Sequence, residues 1–222
     1  MKKAILLLCI TAITLLSCEN NSTENTENKK SKYTDEYTLV GEKNFYTGYE
    51  AMNTDSTFNA VIEIPAGTTQ KWMVDVETGN IIWEYKNGKP RIVNYLAYPC
   101  NYGIIPRTIL LKEKGGDGDP VDVLVLGPAL ERGTIIKVQV IGVMKLLDGG
   151  EVDDKLICVF DGTPFYNFKN LNDLEEQYHG VSTILSTWFA NYKGKNVMEY
   201  KGYDSREAAL EFIKTAIEDF EK

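Results

Sequence analysis

Apolar runs and turn residues alternate at short spacing through the middle of the chain, and the period lengthens toward its end. Val61-Ile62-Glu63-Ile64 is a β-rich run stopped by Pro65 and Gly67. Residues 71–76 and 81–85 flank Glu77-Thr78-Gly79-Asn80, a hairpin signal. Residues 121–126 form another apolar run. Residues 134–145 predict a long strand, in which Val138 and Val140 alternate with Lys137 and Gln139. Residues 155–160 follow after an Asp/Gly-rich loop. Beyond them, 171–178 predicts a short helix and 181–192 a longer one. Asp204 with Glu207 three residues on predicts a capping-box start for the last helix. Ala209, Leu210, Ile213, Ala216, Ile217 and Phe220 then form one apolar stripe, read as core packing. There is no internal repeat. Strands first and helices last predict an α+β fold, a small β-barrel with helices packed outside.

The N-terminal pattern is different. Lys2 and Lys3 precede an apolar run over residues 4–16, too short to span a bilayer. The run ends in Leu15-Leu16-Ser17-Cys18, which resembles the lipobox of bacterial lipoproteins. That resemblance implies a signal peptide over 1–17 and a lipidated Cys18 as the first residue of the mature chain. It also implies an exported protein, anchored to a bacterial membrane on its periplasmic or cell-surface face. Residues 19–32 contain no apolar member, so 18–32 reads as a solvated tether and 33–222 as the globular domain. Cys100 and Cys158 remain in that domain. An oxidising compartment permits a bridge between them, but two buried free thiols are expected.

Composition narrows the function. With 43% hydrophobic and 11% aromatic residues in 222, the chain can bury a core. A net charge of −8 and a pI near 4.9 exclude a nucleic-acid binder working through a basic surface. The only histidine, His179, reads as a helix-start surface residue. Trp72, Trp83 and Trp188 read as packing residues. By contrast there are 32 Asp and Glu residues. Asp117-Gly118-Asp119-Pro120-Val121-Asp122 places three carboxylates in one rigid loop beside an apolar run, where they repel unless a hard cation joins them. An EF-hand is excluded, because its sixth and twelfth positions would be Asp122 and Pro128 rather than Gly and Glu. A second acidic loop, Asp148-Gly149-Gly150-Glu151-Val152-Asp153-Asp154-Lys155, reads alone as a hairpin turn. Together with the first it can complete a shared multi-metal site.

These segments occur in a fixed order: Val-Ile-Glu63-Ile-Pro, Tyr98-Pro99-Cys100-Asn101-Tyr102-Gly103, Asp-Gly-Asp-Pro-Val-Asp, the 148–155 loop, and Trp188-Phe189-Ala190-Asn191-Tyr192-Lys193. Over residues 58–222 the chain resembles the soluble family I inorganic pyrophosphatases. Residues 49–59 resemble the N-terminal extension of the eukaryotic-type members, and Asn-Gly-Lys-Pro-Arg91-Ile-Val is also closer to their pattern. The resemblance implies an OB-like five-stranded β-barrel with peripheral α-helices. It implies Mg2+-dependent hydrolysis of pyrophosphate by a metal-activated water, without a covalent intermediate. Two Mg2+ would be held tightly and one or two more would arrive with substrate; a homo-oligomer is compatible with it.

Carried over by position, Asp117, Asp122 and Asp153 match the tightest metal ligands, with Asp122 touching both metals that share the water. Asp148 matches a ligand of the substrate-borne metals, and Glu63 an acid near the cluster. Asp119 matches the group that takes the proton of the water. Lys71, Arg91, Tyr102, Lys155, Tyr192 and Lys193 match the groups that grip the phosphates; Arg91, Tyr102 and Lys193 are those that stabilise the leaving phosphate. Six carboxylates, four cationic side chains and a fully ionised pyrophosphate sum to about −6, which three or four divalent ions bring near neutrality. Two positions depart from the family: Met73 and Gly149 stand where a glutamate is usual, and a peripheral metal is expected to bind more weakly. Two other readings fit the same residues, a non-catalytic lipoprotein binding phosphate or metal ligands, and a broader phosphoanhydride hydrolase.

Overall fold

A computed structural model of the chain describes residues 31–222. The signal-like segment 1–17, Cys18 and the tether up to residue 30 lie outside the described residues. In chain order the elements are β1 (Lys32–Tyr33), β2 (Thr38–Val40), β3 (Phe58–Ile64), β4 (Trp72–Val74), β5 (Ile81–Trp83), β6 (Tyr85–Lys86), β7 (Lys89–Pro90), β8 (Asn101–Ile104), β9 (Asp122–Leu126), β10 (Ile135–Asp148), β11 (Glu151–Val152), β12 (Lys155–Val159), α1 (Leu171–Gln177), α2 (Val181–Asn191), β13 (Met198–Asp204) and α3 (Arg206–Phe220). None of the described helices is long and apolar enough to cross a membrane.

The fold is α+β with mixed sheets. Five strands pair in a circuit: β3 with β8, β8 with β9, β9 with β12, β12 with β10, and the start of β10 back onto β3. Only β9–β12 is parallel. β10 runs for 14 residues. It therefore serves β3 at one end, β12 in the middle, and β11 and β13 at the other, with a bulge between Val140 and Gly142 that bends it. A separate sheet has the order β1-β2-β5-β4.

The pleat sends alternate residues of each strand into two cores. Leu124, Leu126, Ile157 and Val159 pack on one side with Tyr102, Trp188 and Phe189. Val123, Val125, Leu156 and Cys158 pack on the other with Ala209, Ile213 and Ala216 of α3. Cys100 and Cys158 are buried free thiols in opposite cores. Gly103 is required where β8 crosses β3, because a Cβ there would lie 1.8 Å from the Val61 carbonyl oxygen. That close crossing sets Glu63 beside Tyr102.

Two expectations are corrected. The last helix is capped by Ser205, whose side chain accepts from the Ala208 amide at 3.2 Å; Asp204 is the final residue of β13. β13 itself lies between two helices, so the order is not strands first and helices last. Its sequence, Met-Glu-Tyr-Lys-Gly-Tyr-Asp, is too polar to read as a strand, and pairing along the end of β10 makes it one. β8 begins in the 98–103 segment, to which the sequence pattern assigns no element.

Candidate active site

The parallel register of β9 and β12 places Lys155 directly opposite Asp122. The Lys155 ammonium, 1% exposed, donates to Asp122 Oδ2 at 2.5 Å and to Asp153 Oδ1 at 3.0 Å. From the end of β3, Glu63 points its carboxylate inward beside a register shift in the β3–β8 pairing, and its Oε1 accepts from the Val74 amide at 2.6 Å.

The first acidic loop is fixed by its own backbone. Gly118 takes φ +91°, Gly118 N donates to the Leu110 carbonyl at 2.8 Å, and the Asp119 carbonyl accepts from Leu110 N at 2.9 Å. Asp119 N donates to Asp117 Oδ1 at 2.9 Å, so the first and second acids of the triplet are locked side by side. The second acidic loop opens with a two-residue turn. Asp148 pairs with Glu151 across Gly149 and Gly150, at φ +61° and +99°. Glycine adopts a positive φ at both central positions without strain. Val152 N donates to the Gly115 carbonyl at 2.8 Å and joins the two loops.

All the expected residues line a single cleft of about 330 Å³: Glu63, Lys71, Arg91, Tyr102, Asp117, Asp119, Asp122, Asp148, Asp153, Lys155, Tyr192 and Lys193. Met73 lines it too. Two further acids line it to which the sequence assigns no role, Glu151 of the second acidic loop and Glu84. Glu84 receives both bonds of the Arg91 guanidinium nitrogen, at 2.7 and 2.9 Å; its place seven residues before Arg91 carries no motif signal. Lys193 is paired with Asp148. Tyr192 is held by stacking on Trp188, centroids 4.7 Å apart at 13°. The Lys71 ammonium lies 4.7 Å from the centre of the Tyr102 ring. His179 is almost fully exposed outside the cleft.

Electrostatics follow from this crowding. Burial pushes the Glu63 carboxyl up to about 7, against the pull of Lys71. Asp117, Asp119 and Asp153 are also raised, first by removal from bulk water and then by one another and Asp122. Burial acts upward on Asp122 as well, but Lys155 and Lys71 together hold it below the ordinary carboxylate value. Burial opposes the charge on Lys155, yet Asp122 and Asp153 raise its pKa well above normal. The Tyr102 phenol is raised well above normal by burial and then by Asp122 and Asp153, so it stays a hydrogen-bond donor.

The donor set fits a hard divalent cation. It consists of carboxylate oxygens, with no thiolate and no imidazole in the cleft lining. The raised carboxyls record the cost of burying these charges close together, which such a cation offsets. Among the described residues no three carboxylates already converge as a ready cage; those of Asp122 and Asp153 are drawn toward Lys155.

Comparison with known proteins agrees with this chemistry. The inorganic pyrophosphatase family profile matches residues 60–221. The mitochondrial inorganic pyrophosphatase of Saccharomyces cerevisiae is 32% identical over 186 residues, which cover 72% of this chain and 59% of that protein. The inorganic pyrophosphatase of Picrophilus torridus is 32% identical over 166 residues, covering 73% of this chain and 86% of that one. The crystal structure of a type I inorganic pyrophosphatase from Toxoplasma gondii superposes with a TM-score of 0.78 at 24% identity, over 86% of this chain and 94% of that one.

The raised Glu63 carboxyl fixes a sign for stability. A folded pKa of about 7 against 4.5 means that the folded state holds the extra proton between those values. The contribution is full below pH 4.5 and is lost as pH rises through 7. In EDTA the melting temperature is therefore expected to fall between pH 5 and pH 8, and Glu63→Gln is expected to flatten that fall. A Glu63→Gln profile identical in slope to the wild type contradicts the assignment.

Proposed function

The chain belongs to the inorganic pyrophosphatase family, and from that membership and the geometry of its acidic cleft we infer that it hydrolyses inorganic pyrophosphate to two phosphates. The observation that carries this reading is the convergence of the acidic triplet, the second acidic loop and four cationic side chains on one cleft. We read the five-strand circuit as the OB-like barrel that brings them together. Enzymes of this family depend on metal, generally Mg2+. Asp117, Asp122 and Asp153 would hold two ions, and Asp148 and Glu63 would help hold one or two that come with substrate. When bound, the ions supply the positive charge that acidifies a water and offsets the charge of the phosphates.

The chain's own residues do the rest. Asp119 lies at the open side of the cleft with a raised pKa, suited to take the proton of the water that attacks one phosphorus in line. The bond from that phosphorus to the bridging oxygen breaks, and the second phosphate leaves. Arg91, Lys193 and the neutral Tyr102 phenol stabilise charge on the leaving phosphate, and Lys71 and Tyr192 orient the group under attack. Lys155 acts from beneath: its ammonium is committed to Asp122 and Asp153, so it sets those two carboxylates at least as much as it meets phosphate.

Phosphate release from pyrophosphate, followed against magnesium concentration, tests this. Wild-type turnover is expected, with Asp119→Asn lower by at least about 100-fold. Activity should keep rising beyond the magnesium level that fills the tight sites, because Met73 offers no donor to a peripheral ion. Equal rates in the two proteins would remove Asp119 as the proton acceptor. Silence in both, with binding retained, would make this a binding protein.

The N-terminal pattern supports an exported protein held to a bacterial membrane through a lipidated Cys18. Two or more acyl chains anchor a protein stably where one does so marginally. Cys18→Ser is expected to move the chain from the membrane to the soluble fraction; an unchanged membrane fraction contradicts the anchor.

A further inference from the structure

Behind the cleft, a second set of residues joins the N-terminal strand to the phosphate-binding end. In the sheet β1-β2-β5-β4, β1 and β2 come from residues that precede the family match at 60–221. Arg132 links this sheet to the strand circuit. Its Nε donates to the Glu63 carbonyl at 2.8 Å, and one terminal nitrogen donates to the Tyr33 hydroxyl at 2.8 Å. Its guanidinium carbon lies 3.9 Å from the centre of the Trp72 ring. Tyr33 meets the same indole edge-on at 5.9 Å. Trp72 stacks on Trp83, centroids 5.5 Å apart at 22°, and Trp83 Nε1 donates to the Arg91 carbonyl at 2.9 Å. That carbonyl also accepts from Lys71 N at 3.0 Å. One continuous set of contacts thus runs from Tyr33 to the backbones of Glu63, Lys71 and Arg91. None of Tyr33, Trp72, Trp83 and Arg132 lines the cleft itself.

We propose that Arg132 and Tyr33 are positioning residues that fix the spacing of Glu63, Lys71 and Arg91, so that the N-terminal strand is a working part of the phosphate-binding site. A planar guanidinium can stack on an indole while its edge donates to two oxygens; an ammonium cannot hold both arrangements. The three cleft residues come from separate segments, and Arg132 touches the Glu63 backbone directly while reaching the other two through the paired indoles. Loss of its orientation therefore shifts one acid and two cations relative to each other. The proposal rests on the pyrophosphate reading for the choice of ligand, and its test separates the two.

The test uses the purified chain and the variants Tyr33→Phe, Arg132→Lys and Arg132→Gln. Calorimetry with methylenediphosphonate and magnesium gives affinity, pyrophosphate kinetics give KM and kcat, and melting curves give stability. Tyr33→Phe, which loses one oxygen from a residue that is 48% exposed, is expected to weaken diphosphonate binding about threefold. Arg132→Gln is expected to weaken it about tenfold. Arg132→Lys is expected to stay near the Gln value, since charge alone does not restore the stacked plane. KM should rise by the same factors, with kcat within about twofold of the wild type. Folded variants that bind as the wild type does overturn the proposal, as do losses that follow the melting temperature alone. Should Arg132→Lys or Arg132→Gln fail to fold, Tyr33→Phe decides by itself. A wild type that binds diphosphonate without cleaving pyrophosphate removes the enzymatic reading, and the affinity comparison still decides the role of Arg132 and Tyr33.

Discussion

The ammonium of Lys155, drawn out of water between the carboxylates of Asp122 and Asp153, is the interaction on which the cleft is organised. Removing an ammonium from water is costly unless partners compensate it closely. Here two do, and they come from different loops. The parallel pairing of β9 with β12 makes this geometry unavoidable, because Lys155 and Asp122 are register partners. Asp153 precedes Lys155 by two residues and reaches the same ammonium from the second acidic loop. The three charges thereby pin both acidic loops to one floor.

Around that floor the arrangement is uniformly one of acids in excess. Eight carboxylates line the cleft against four cationic groups. Arg91 leans on Glu84 and Lys193 on Asp148, so three of the four cationic groups are already paired with acids of the cleft. Only the Lys71 ammonium rests against a ring instead, that of Tyr102. A polyanionic substrate gains little from such cations unless further positive charge enters. Burial first, and the neighbouring acids after it, keep Glu63, Asp117, Asp119 and Asp153 above their ordinary pKa values. The raised Asp119 carboxyl and a donor set suited to hard cations thus share one origin, carboxylates gathered in a partly dry cleft.

Much of this was legible in the residues. The hairpin at 77–80, the long strand around Val138 and Val140, and the apolar stripe of α3 follow from periodicity and turn chemistry, which are local. The acidic triplet was legible because Gly118 and Pro120 cannot belong to a helix face. What escaped was decided at a distance. β13 is polar and becomes a strand only because β10 is long enough to need a partner at its far end. The Asn101–Ile104 strand hides behind Pro99 and Gly103, and the glycine is explained only by the approach of the Val61 carbonyl. Glu84 enters the cleft through its bond to Arg91. Tyr33 and Arg132 meet 99 residues apart in the chain, and no spacing rule connects them.

With acids in such excess, anion binding in this cleft should require divalent cations. Calorimetric titration of methylenediphosphonate into the wild-type chain, once with magnesium and once in EDTA, measures this. Saturable binding with magnesium and no detectable heat in EDTA is the predicted result; equal affinity in both contradicts it.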